Sequence, residues 1–77
     1  MEKENFIESL KEIMELEDME IDENTVLTEL IEFNSLAIMG IIALIDENFD
    51  MLIEAEKFEN VTTVKDLMNL IGSSKFK

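Results

Sequence analysis

Phe33-Asn34-Ser35-Leu36-Ala37-Ile38-Met39-Gly40-Ile41-Ile42-Ala43-Leu44-Ile45-Asp46-Glu47-Asn48-Phe49 is the stretch on which the fold turns. It opens on Asn34 and Ser35, two residue types that cap helix N-termini, and continues as an apolar segment. Ile38, Ile41, Ile42, Ile45 and Phe49 recur at the spacing of one broad helix face, which is expected to be buried. Ala37, Gly40, Leu44 and Glu47 fall on the opposite face. A glycine inside a helix costs about 1 kcal/mol relative to alanine, so a close neighbour at Gly40 is expected to offset it. The chain carries 19 acids in 77 residues, yet none lies between Phe33 and Ile45.

Outward from that segment, Glu2 to Leu16 reads as an amphipathic helix, with Phe6, Leu10, Ile13 and Met14 inward and Glu4, Glu8, Glu12 and Glu15 in water. Glu17 to Glu32 has no such stripe. Asp22, Asn24 and Thr25 favour turns, and Ile21, Val26, Leu27, Leu30 and Ile31 pin an ordered loop with a helical turn around Val26 to Leu30. Asp50 to Asn60 is a second connection, anchored by Met51, Leu52, Ile53 and Phe58, with a short helix over Glu54 to Glu59. Thr63 and Asp66 resemble a capping box with a shortened acid. They open a last helix that buries Val64, Leu67, Met68 and Ile71 and stops at Gly72. The expectation is an all-α bundle of three main helices plus a short helix, third in chain order. One domain covers 1–72, and 73–77 form a flexible tail.

Composition narrows the function. There is no cysteine and no histidine, so thiolate chemistry, His-based triads and the common zinc ligands are missing. A free-standing enzyme is not expected. Six lysines, no arginine and a net charge of −13 make nucleic acid and anionic membranes poor partners and proteins with basic patches good ones. The 47% hydrophobic content argues for a folded core over disorder. No secretory leader is evident, and Leu36 to Ile45 is too short to span a bilayer. A cytoplasmic monomer without membrane insertion is expected. Asp46, Asn48 and Asp50 have calcium-loop spacing, but Met51 and Lys57 stand where glycine and glutamate are needed, so no metal site is expected.

Ser35 stands apart from the carboxylates. Most serines at helix starts only cap free N–H groups. With Asn34 as the cap, Ser35 falls at the first helical position and its hydroxyl is free to carry a group. A phosphodiester there would lie against the positive end of the helix dipole. The chemistry would then belong to the attached group, because the chain has no reactive side chain of its own.

The chain resembles an acyl carrier protein of the phosphopantetheine-binding carrier family over Glu2 to Ile71. Asn34-Ser35-Leu36 is similar to the family's Asp-Ser-Leu motif. Ala43 to Asp50 is similar to the acidic end of its second helix, and Glu56 to Val64 to its entry into the last helix. The resemblance implies 4′-phosphopantetheine, taken from coenzyme A by a phosphopantetheinyl transferase and joined to Ser35, with Asn34 and Leu36 flanking it. It implies acyl groups held as thioesters and passed among acyl-loading and acyl-processing enzymes, in fatty acid or specialised (polyketide- or peptide-like) biosynthesis. By position it implies Ile45, Ile53, Phe58 and Val61 as the lining of an acyl pocket, and Ala37, Met39, Gly40 and Glu47 as a docking surface.

Three departures point to a specialised member with its own partners. Asn34 stands for the usual aspartate, Glu32-Phe33 stand where a glycine is common, and Ala37 and Gly40 occupy positions that are often acidic. The alternative is an unmodified, degenerate carrier fold that serves as an acidic protein-interaction module, with Ser35 as a plain cap.

Overall fold

The computed structural model describes residues 1–16 and 18–76. Three α-helices span Lys3–Met14 (α1), Ser35–Phe49 (α2) and Val64–Ile71 (α3), with 3₁₀ turns at Leu27–Glu29, Ala55–Asn60 and Ser73–Lys75. Among the described residues the sole β feature is an isolated antiparallel bridge between Val26 and Thr63. The expected all-α bundle forms, with its short extra helix at Ala55–Asn60. No helix among the described residues is long and apolar enough to cross a membrane.

α1 buries Phe6, Leu10 and Met14, one residue per turn on a single stripe. Glu15 ends it in the left-handed region at φ 58°, a conformation that costs a non-glycine residue about 1 kcal/mol. The closing turn offsets this: Glu15 N–H donates to the Glu12 carbonyl at 3.2 Å and Leu16 N–H to the Lys11 carbonyl at 2.8 Å. These are the two bonds of a Schellman closure, and they turn Leu16 back into the core.

α2 is rotated from the expected orientation. Ala37, Ile41 and Ile45 are its buried residues, while Ile38, Ile42, Leu44 and Phe49 are half-buried around them. Gly40 explains the difference. A Cβ built there would meet the Ile13 γ-methyl at 2.9 Å, so the face assigned to the outside is the one that α1 approaches. The close neighbour that offsets this glycine is the chain's own first helix. A helix apolar on nearly every side is covered on more than one side. Here α1 lies along one flank and the Ala55–Asn60 turn along another.

The long first connection is tied down by backbone bonds to the start of α3. Leu27 N–H donates to the Thr62 carbonyl at 2.7 Å, Val64 N–H to Thr25 at 3.1 Å and Lys65 N–H to Glu23 at 2.9 Å. Each satisfies groups that a loop would otherwise leave to water. A surface ion pair, Lys3 to Glu23 at 2.7 Å, adds little.

The capping box forms despite its shortened acid. Asp66 N–H donates to Thr63 Oγ1 at 3.1 Å, and the Thr62 and Thr63 N–H groups both donate to Asp66 Oδ2 at 3.1 Å. Beyond Gly72, which has φ 120°, Phe76 packs onto Phe6 and Phe49 with ring centroids 5.0 and 5.3 Å away. Within the segment expected to be a flexible tail, Phe76 thus packs on the core while Ser73, Ser74 and Lys75 are exposed, and Lys77 lies outside the described residues.

Two outcomes follow from this packing. Gly40→Ala is expected to destabilise the protein by about 1 kcal/mol through overpacking on Ile13. In an Ile13→Ala background the same change is expected to gain up to about 1 kcal/mol of helix propensity. Denaturant melts of the four chains check the sign change. The Thr63 and Thr62 N–H bonds hold the Asp66 carboxyl below its ordinary value. A depressed carboxyl contributes stability above its unfolded pKa and loses it as pH falls through the folded value. Asp66→Ala should therefore lower Tm at neutral pH, and the gap should close as pH drops below about 4. A gap that stays constant down to acid unfolding would contradict the assignment.

Candidate functional site

The start of α2 is set by its cap. Asn34 lies in extended backbone and its side chain accepts the Ala37 N–H at 3.0 Å. Its carbonyl accepts the Ile38 N–H at 2.9 Å. Ser35 is therefore the first helical residue, Leu36 the second and Ala37 the third. Asn34 satisfies the third amide. The first two have no intrahelical partner, as at any helix start.

Ser35 is exposed, and its hydroxyl is in no hydrogen bond among the described residues. The first turn of α2 holds no acid. These features fit an anionic ester on the serine oxygen. The hydroxyl is accessible, two amide N–H groups have no intrahelical partner beside it, the dipole end is positive and the first turn of α2 adds no carboxylate to oppose a phosphate. As the cap, Asn34 leaves this hydroxyl unused.

The other sequence-derived residues separate into different environments. Leu36 is 77% exposed and Met39 65%, and Glu47 is exposed on the last turn of α2. Ala37 is only 5% exposed and Gly40 lies against Ile13. Of the docking surface expected at Ala37, Met39, Gly40 and Glu47, Met39 and Glu47 are exposed, Ala37 is buried and Gly40 lies against Ile13 of α1. Ile45, Ile53, Phe58 and Val61 are all buried in one continuous cluster, and Ile53 also borders an open depression with Leu52, Lys57 and Leu70. The residues with calcium-loop spacing do not form a loop: Asp46 and Asn48 lie within α2, and Asp50 closes it at φ 55°. No cluster of metal-ligating side chains occurs among the described residues.

Two features of the site differ from what the sequence suggests. Ile31, read as an anchor, is 91% exposed. A small depression also lies beside the α2 N-terminus, with Ile13, Met14 and Ala37 in its floor and Glu15, Glu32 and Leu36 at its edge. Its residues come from the end of α1 and the start of α2, two segments that sequence spacing alone does not bring together.

A family described as a phosphopantetheine attachment site matches residues 4–71. No curated protein and no solved structure gives a significant match.

The cap can be tested apart from any modification. Asn34→Ala should lower stability by about 1 kcal/mol. Asn34→Asp keeps the acceptor, adds a charge suited to the helix N-terminus, and should match or exceed the wild type. Thermal melts of the two variants decide it, and an unaffected Asn34→Ala would contradict the cap.

Proposed function

The chain belongs to the phosphopantetheine attachment family, and from that premise we propose that it carries acyl intermediates on an arm joined to Ser35 Oγ. That family is the attachment site of a covalently bound 4′-phosphopantetheine. When bound, the group supplies a terminal thiol on which an acyl group is held as a thioester. A carrier domain of this kind implies modifying and acyl-processing enzymes as partners. In fatty acid or specialised biosynthesis, tethering raises the effective concentration of cargo at each of them.

The residues divide the work. Ser35 Oγ would gain the bond to phosphorus as its proton passes to a base of the transferase and the nucleotide half of coenzyme A departs. The N–H groups of the first α2 residues would then hold the phosphodiester. Asn34 holds the helix start without adding a carboxylate that would repel that anion. Short cargo would be sheltered where α2 meets the Ala55–Asn60 turn, with Ile45, Ile53, Phe58 and Val61 parting to receive it. Asn34 and the acid-free first turns of α2 support a specialised member with its own partners.

The observation that carries this reading is an exposed, unbonded serine at the first position of the central helix, inside a family-matched span. The chain is incubated with coenzyme A and a broad-specificity phosphopantetheinyl transferase, and its intact mass is taken. One phosphopantetheine should be added to the wild type and none to Ser35→Ala. No increment with any transferase would favour the unmodified interaction module.

A further inference from the structure

We propose that Ile13, Met14, Leu36 and Ala37 seat the pantoyl segment of the arm, the part that directly follows its phosphate. The inference rests on the carrier reading and deepens it, because it gives the base of the arm one direction, across the end of α1.

The seat is the depression of about 170 Å³ where the end of α1 meets the start of α2. Both chain neighbours of Ser35, Asn34 and Leu36, border it. The larger depression beside Ile53 contains no residue of α2. In the arm, a carbon bearing two methyl groups is joined to Ser35 Oγ through one phosphate and one methylene, which keeps it within about 6 Å of that oxygen. A tether that short selects the depression that begins at the serine's own neighbours. The volume there is several times the roughly 30 Å³ share of a water in the liquid, enough for a carbon with two methyl groups.

The lining follows the chemistry of the arm in order. At the helix start, the amides without intrahelical partners suit the phosphate. Next to them, Ile13 is half-buried and Leu36 is 77% exposed, so both keep apolar surface that a pair of methyl groups would remove from water. Beyond the methyl groups the segment carries a hydroxyl and an amide N–H, both donors. The edge of the depression carries the exposed carboxylates of Glu15 and Glu32, which accept. The same carboxylates repel the phosphate and so favour its place at the helix start. Gly40 shapes the floor, since it lets Ile13 lie close against α2. An arm held at its base spreads its thiol end over fewer directions, which lowers the ordering cost when a partner takes it up.

The test is nuclear Overhauser spectroscopy on the holo chain, loaded from coenzyme A that is isotope-labelled in the two pantoyl methyl groups. Cross-peaks from those groups to the Ile13 methyl groups and the Ala37 β-methyl are expected. Loading should also shift the backbone amides of Ile13, Met14 and Glu15, which belong to the end of α1 and not to the helix that bears the phosphate. Ile13→Ser should abolish the Ala37 cross-peak while intact mass still shows one label, and its amide spectrum verifies that it folds. Leu36→Ser, at an exposed position, should weaken the same cross-peak. A cross-peak at full strength in both variants would overturn the seat. So would a wild-type holo chain whose labelled methyl groups give no cross-peaks to the protein, or give them to Phe58 or Val61 instead, and either result would leave the carrier reading intact. A wild type that takes up no label would overturn both.

Discussion

The bond from Ala37 N–H to Asn34 Oδ1 sets what the α2 N-terminus can do. If Ser35 were the cap, its oxygen would be spent accepting a backbone amide. With Asn34 as the cap, the serine moves inside the helix, its hydroxyl faces solvent, and the amides of Ser35 and Leu36 remain open. An asparagine performs this task as well as an aspartate does and adds no charge. The positive end of the helix then lies at the residue that carries the free hydroxyl.

A second constraint fixes which way α2 faces. Gly40 admits Ile13 to a distance that a side chain would forbid, so α1 can lie against the Ala37–Gly40 side. That turns Ile41 and Ile45 fully inward and leaves Ser35, Leu36 and Met39 outward. The glycine thus has a structural role in presenting the serine, although it lies more than a turn along the helix from it. The long first connection contributes too, because its bonds to the start of α3 order the segment from which Ile31 and Glu32 lead into the cap.

The helices themselves were legible from the chain alone. Apolar spacing located α1, α2 and α3, the Thr63–Asp66 pair marked the start of α3, and Gly72 marked its end. The Asn34-Ser35 pair likewise disclosed a free hydroxyl, because two capping residues in tandem leave one of them unused. The rotation of α2 was hidden, since a helix apolar nearly all round gives no pattern to say which flank receives α1. Ile31 and Leu52 look like anchors in the sequence because an apolar side chain in a loop normally finds the core, and nothing local distinguishes one left in solvent. The ties between the first connection and α3 are backbone bonds, which carry no side-chain signature. Phe76 is a lone aromatic beyond a helix stop, with no periodicity to place it against Phe6 and Phe49.

The central claim is that Ser35 is the point at which this chain carries its cofactor. The most direct measurement is fragment mass spectrometry of the chain purified from the cells that make it. The account predicts phosphopantetheine on the peptide that contains Ser35 and on no other. A chain that is entirely unmodified in those cells, or that carries the group on a different residue, would contradict it.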